Sequence, residues 1–316
     1  MLPRSKANLT RSLASLGQNA QLPEPQWIEL PDGPERRGVF LHAGRDTTGE
    51  RAPVVLVAPT PSTCYSFAPL ILGQASDTQA GLAANRTVIA PELPGHGIAP
   101  AVRGPVTFQR CADHLARMVR ALDLPPVHLV GASYGGEFAW RAALDHPALF
   151  ASLTLLDSAG IERREQDWLP EEVAMREISA ARYGWLLGSR KGVTGALAPH
   201  FATLQRDTAE QTYLCCSNPN NWGAMVDLAR DENGARQGDL PRLSVPTLIG
   251  WGARDLAYPP EYFAEAFLAA IPDARLHLFE NTGHYPHEER PAEVLDLLGP
   301  HFRQAESALR DRSTPG

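Results

Sequence analysis

The chain has 316 residues, 43% of them hydrophobic and 21% charged, with a formal charge of −7. That length suits one large domain or a core with a lid, on a scale of roughly 100–200 residues per domain, and the apolar content excludes wholesale disorder. The mild acidity, without any run of Lys and Arg, argues against a nucleic-acid partner and reads as a solubility feature.

Met1 to Leu22 carries Arg4, Lys6 and Arg11 but no apolar core segment, so it reads as neither a signal peptide nor a membrane span. It is expected to be a flexible polar arm, residues 1–22, with no membrane partner. Gln26–Leu30 and Arg37–His42 look like an antiparallel pair at a sheet edge. From about Ala52 onward, short apolar runs alternate with longer helical patterns, which implies βαβ units around a mostly parallel sheet, an α/β fold. The predicted buried strands are Val54–Ala58, Thr87–Ala90, Val127–Gly131, Leu153–Asp157, Thr247–Trp251 and Leu276–Glu280. Helices are predicted over Phe108–Leu122, Glu137–Leu144 and Pro291–Ala305, the last opening on a proline that suits a first turn. The alternation fails from about Gly160 to Leu240, where no buried-strand run occurs and Trp168, Tyr183, Trp185, Tyr213 and Trp222 stud a helical pattern. This predicts a core over 23–160 and 241–305, a helical cap over 161–240 that roofs the carboxyl ends of the strands, and a flexible tail over 306–316. The cysteines Cys64, Cys111, Cys215 and Cys216 form no CxxC pair. They read as free thiols in a reducing cytoplasm.

The strongest local signal is Gly131-Ala132-Ser133-Tyr134-Gly135 between a predicted strand and a predicted helix. There a Gly-x-Ser-x-Gly turn lifts a serine hydroxyl above the sheet edge, and side chains at the two glycines would clash. A serine hydroxyl needs a base to take its proton. His284 lies between the last strand and the last helix, on a loop at the carboxyl end of the sheet. Of its rivals, His128 lies within the nucleophile strand, His96 lies in the turn Pro94-Gly95-His96-Gly97, and His287 reads as loop support. His284 and His287 lack a third ligand and have Pro286 between them, so no metal is expected.

The base needs an acid to fix its tautomer and stabilise its cation. Asp255 follows the penultimate strand and gives the chain order Ser, Asp, His. Asp157 ends the strand after the nucleophile helix and is the alternative. For the oxyanion, one backbone N–H falls to Tyr134, after the nucleophile. The other falls to the loop after the third strand, where Pro59 and Pro61 leave Thr60 as donor.

With these pieces in order, the chain resembles the α/β-hydrolase superfamily from about Ala52 to Phe302. The resemblance rests on Gly131–Gly136, Ala90-Pro91-Glu92-Leu93-Pro94-Gly95-His96-Gly97, Gly252–Pro259 and Gly283–Pro291. Two departures stand out: Ala58-Pro59 where members commonly have His-Gly, and Glu92 where they commonly have Asp. The resemblance implies a serine-nucleophile, lid-bearing esterase or lactonase that needs no cofactor and takes a partly apolar small molecule through an acyl-enzyme. A serine rather than an aspartate nucleophile points away from epoxide and halide chemistry. Ala132, where carbon–carbon hydrolases tend to have Asn, lowers that reading. Thioester or carbon–carbon hydrolysis, a biosynthetic tailoring step, and a hydrolase-like small-molecule receptor remain the alternatives.

Overall fold

The computed structural model describes residues 6–73, 79–164 and 188–313. Eight strands form one sheet: β1 (Gln26–Glu29), β2 (Arg37–Ala43), β3 (Val54–Val57), β4 (Val88–Glu92), β5 (Val127–Ala132), β6 (Phe150–Leu156), β7 (Thr247–Gly252) and β8 (Arg275–Phe279). Their spatial order is β1-β2-β4-β3-β5-β6-β7-β8. β1 and β2 run antiparallel to their neighbours, and the rest are parallel. Every residue of β3 to β7 is buried, because helices cover both faces and Val, Leu and Ile fill both. Two apolar clusters result, one on each side, centred on Phe138, Trp140 and Trp251 and on Phe67, Phe279 and Phe302.

Register sets where the strands end. Val57 lies opposite Gly131, Ala132 opposite Leu156, and Leu156 opposite Gly250. The loops after β3, β5, β6 and β7 therefore leave the sheet side by side. The turn after β5 is tight: Ser133 adopts φ 53° and ψ −125°, and the helix Tyr134–Asp145 begins at the next residue. Three hydrogen bonds pin Ser133. Its N–H donates to Leu156 O at 2.9 Å, and its carbonyl accepts from Gly136 and Ala159 N–H at 2.9 and 3.0 Å. A Cβ on Gly135 would strike the carbonyl oxygens of Val57 and Ala58, and one on Gly131 would strike the Gly135 backbone.

Three expectations are corrected. The last strand is not buried: β8 pairs only with β7, Arg275 is exposed, and Leu278 is 41% exposed, so it is a sheet edge. The segment before Leu22 is not a flexible polar arm where described. Lys6–Ala14 is helical, and Leu9 and Leu13, four residues apart, bury one face. Asn19 is also buried and donates to Gln211 Oε1 at 3.2 Å. Nor is the tail flexible from residue 306. The last helix runs Pro291–Ser313, and Glu306 sits buried between Arg86 Nη1 at 2.5 Å and His128 Nε2 at 3.2 Å, ahead of the stacked His128 and Phe302 rings. The helical stretch between β6 and β7 has helices Arg190–Leu197, Arg206–Cys216 and Pro219–Asp231. Trp168, Tyr183 and Trp185 lie outside the described residues. All four cysteines are free and buried. No described helix is long and apolar enough to cross a membrane.

Two outcomes follow. Gly135→Ala forces backbone against backbone and is expected to lower stability by about 1–3 kcal/mol, read by urea denaturation. For Glu306, burial pushes the carboxyl up, but hydrogen bonds from His128 and Arg86 and the Arg86 charge outweigh it and hold it at about 2 rather than 4.5. Its contribution is therefore complete above pH 4.5 and lost as pH falls toward 2. Glu306→Ala leaves Arg86 buried without that partner and is expected to cost about 3 kcal/mol at pH 7, with the difference from wild type shrinking across that acid window.

Candidate active site

The carboxyl-end loops bring Ser133, His284 and Asp255 into one hydrogen-bonded chain. Ser133 Oγ lies 2.9 Å from His284 Nε2, and His284 Nδ1 lies 2.7 Å from Asp255 Oδ2. All three side chains are buried. A carboxylate only accepts, so the imidazole proton belongs on Nδ1, which leaves Nε2 to accept from the serine hydroxyl. Asp255 Oδ1 takes the N–H groups of Ala257 and Tyr258 at 2.8 and 3.1 Å, which fixes the carboxyl plane.

The His284 loop is held from both sides. From the sheet side, Gly252 packs so closely on Gly283 that a Cβ there would meet the Gly283 carbonyl, and Arg254 N–H donates to Thr282 O at 2.8 Å. From the helical stretch, His284 N–H donates to His200 O at 2.7 Å. Glu289 bridges the two, accepting from Gly283 N–H at 2.9 Å and from Ala202 and Thr203 N–H at 2.8 and 3.3 Å.

Asp157, the alternative acid, also arrives here. It is fully buried at the end of β6, and its Oδ1 accepts Gly252 N–H at 2.9 Å. Burial first, then the Asp255 charge, pushes its carboxyl well above the usual range. Asp157, Asp255 and His284 are the one group of three metal-ligating side chains among the described residues. The His284–Asp255 contact has hydrogen-bond length, and Asp255 Oδ1 is committed to backbone N–H groups, so these donors fit a proton chain better than a cation.

The other histidines separate cleanly. His128 is a core residue hydrogen-bonded to Ser152 Oγ at 2.8 Å. His287 packs its ring on Phe67, 4.8 Å between centroids, and burial pushes it down to about 3, so it is a neutral support for the loop. His96 does approach: its Nε2 lies 2.5 Å from the Thr60 hydroxyl and its Nδ1 3.0 Å from Pro94 O. Burial pushes it down to about 4, so it is neutral. Thr60 thus sits on the loop after β3, two residues past the Ala58 backbone that meets Gly135, with its side chain tied back to His96. Tyr134 is the first residue of its helix, so its N–H stands at the positive end of the helix dipole. Glu92 accepts from the Thr63 hydroxyl and from Ile98 N–H at 3.5 Å, and it packs where Gly97 has no side chain. The longer acid thus closes that turn.

Sequence reading missed a buried cluster beside His284. Glu232 accepts from Tyr134 OH at 2.6 Å and Tyr258 OH at 2.7 Å. Arg163 lies 3.8 Å from the same carboxylate and 4.8 Å above the Tyr258 ring. The Tyr258 ring is 5.2 Å from that of His284. Tyr134 and Tyr258 were visible beside Ser133 and Asp255. Nothing in the sequence linked them to a glutamate at the end of a distant helix.

The sequence pattern of the alpha/beta hydrolase family matches residues 39–297. A 2-hydroxymuconate semialdehyde hydrolase from Pseudomonas putida is 28% identical over 224 residues, 67% of this chain and 76% of that protein. A pimeloyl-[acyl-carrier protein] methyl ester esterase from Neisseria meningitidis is 28% identical over 220 residues, 66% of this chain and 80% of that protein. Among solved structures, a thermophilic esterase from Thermogutta terrifontis superposes with a TM-score of 0.71 at 23% identity, covering 90% of this chain and all of that one. With the family pattern matching residues 39–297, most of its length, the chain belongs to the alpha/beta hydrolase family and is a hydrolase.

Proposed function

We propose that this chain cleaves a carboxylic ester or lactone through an acyl-enzyme on Ser133. The observation that carries the reading is the continuous chain from Ser133 Oγ through His284 to Asp255, at 2.9 and 2.7 Å. His284 Nε2 takes the hydroxyl proton as Ser133 Oγ attacks the carbonyl, and Asp255 stabilises the imidazolium that forms. The oxyanion develops beside the start of the Tyr134 helix. The Tyr134 N–H and the Thr60 N–H, on the loop after β3, are its donors. His284 then gives its proton to the leaving alcohol, and water repeats the cycle to free the acid. Residues 161–240 act as a cap over this site, which the His284–His200 and Asn221–Gly97 contacts support.

A second reading has a specific support. The chain is similar to 2-hydroxymuconate semialdehyde hydrolases as well as to a methyl ester esterase. A carbon–carbon bond hydrolase on the same triad is therefore the alternative, and Ala132 before the nucleophile favours the ester.

The test uses short p-nitrophenyl esters and a fluorophosphonate probe. Wild type is expected to turn over, with the probe on Ser133. Ser133→Ala is expected to lose both, and Asp255→Asn to lose on the order of 10³–10⁴ in kcat. Labelling of another residue, or turnover untouched by Ser133→Ala, overturns the assignment.

A further inference from the structure

Asp157 poses an accounting problem that the triad does not solve. Its side chain is fully buried, one oxygen accepts Gly252 N–H, and the other has no hydrogen-bond donor within reach. It does have a neighbour. Oxygens of Asp157 and Asp255 lie within 4.8 Å of each other and of a His284 ring nitrogen. Two carboxylates cannot both stay ionised in one buried site, because the like charges and the lost hydration both oppose it.

Hydrogen bonding decides which of them keeps the charge. Asp255 has the donor set of a carboxylate: Ala257 N–H and Tyr258 N–H on one oxygen, His284 Nδ1 on the other. Asp157 has a single donor and one bare oxygen. A proton on that bare oxygen turns an unpartnered acceptor into a donor and removes the repulsion at once.

The geometry points to Asp157 as a positioning residue whose protonated carboxyl donates to Asp255, extending the Ser133–His284–Asp255 chain by a second acid. The direction of its titration agrees: burial and the Asp255 charge both favour the proton on Asp157, with Glu289 adding in the same sense and Gly252 N–H opposing. The backbone holds it there, since Asp157 has φ 45° and its N–H donates to Gly250 O at 3.1 Å. Two consequences follow. Asp255 is held from the side opposite its own loop, so the imidazole is oriented by strands β6 and β7 together. The donated hydrogen bond also withdraws negative charge from Asp255, so an imidazolium formed during the reaction meets less charge there than beside a bare carboxylate.

This rests on the proposed triad, but one measurement does not. Infrared difference spectra at neutral pH are expected to show the carbonyl stretch of a protonated carboxylic acid in wild type and its loss in Asp157→Asn. A band unchanged by that substitution overturns the inference, whatever the enzyme does. In kinetics, Asn keeps one acceptor for Gly252 and one donor for Asp255, so Asp157→Asn is expected to retain kcat within about threefold and to keep the acid limb of the pH–rate profile. Asp157→Leu has the volume without the donor. It is expected to lose about tenfold in kcat with KM unchanged and to shift the acid limb to higher pH. Loss in Asp157→Asn as large as in Asp255→Asn, or an Asp157→Leu profile superimposed on wild type, overturns the inference. If Asp157→Leu does not fold, the Asn variant and the infrared band decide alone. Turnover surviving Ser133→Ala removes the proposed function and leaves the infrared result to judge Asp157 on its own.

Discussion

Ser133 is held in a backbone conformation, φ 53° and ψ −125°, that residues with side chains avoid. Such conformations cost about 1–3 kcal/mol and survive only where the surroundings over-determine them. Here the surroundings are the register of three parallel strands, β3, β5 and β6. Leu156 of β6 accepts the Ser133 N–H, the segment after β6 returns Ala159 N–H to its carbonyl, and the end of β3 leaves room for nothing larger than Gly135. Shift any of these strands by one residue and the hydroxyl no longer leaves the sheet toward His284. The site is thus a property of the sheet before it is a property of its side chains.

The second constraint is charge in a dry place. Burial keeps Asp157 and Glu92 protonated more readily than usual and pushes Glu288 up to about 7. It leaves His96 and His287 neutral. Other acids here have partners: Asp255 has three donors, and Glu232 has two tyrosine hydroxyls and Arg163. In the proposed reaction, a site arranged this way meets the developing oxyanion with its acids neutralised or partnered. This matters because electrostatic terms grow as water is excluded.

The sheet was legible because its strands obey one simple rule. Buried on both faces, β3 reads as an unbroken run of Val and Leu, and β5 and β6 read as Val- and Leu-bearing runs without Asp, Glu, Lys or Arg. β8, at the edge, also carries Leu276, Leu278 and Phe279, so the run from Leu276 read as buried although Arg275 and His277 flank its first leucine. The serine, histidine and aspartate positions were legible because a turn glycine and a strand end mark each one. The ends of the chain were not. Leu9 and Leu13 are the only leucines in the polar stretch Lys6–Ala14, Asn19's partner Gln211 lies 192 residues away, and Glu306's partner His128 lies 178 away. No periodicity encodes such pairings. The glutamate joining Tyr134 to Tyr258 was hidden for the same reason.

The hold on His284 bears on how substrate preference relates to chemistry here. A base supported only by the sheet would let a cap change freely above it. In this chain the base's own N–H donates to His200, and Glu289 ties its loop to Ala202 and Thr203, so the proposed cap supplies part of the base's frame. Arg163, at the opposite end of the same stretch, donates to Ala257 O beside the acid at 2.9 Å. The His284 and Asp255 loops are therefore both anchored in the segment proposed to line the pocket. A substitution there that repositions a substrate will also move the imidazole or its acid, and a misplacement of about 1 Å is enough to cost on the order of 10²-fold in rate. On the proposed function, changes of substrate come through side chains of the proposed cap rather than through the 200–203 segment, whose backbone holds the His284 loop.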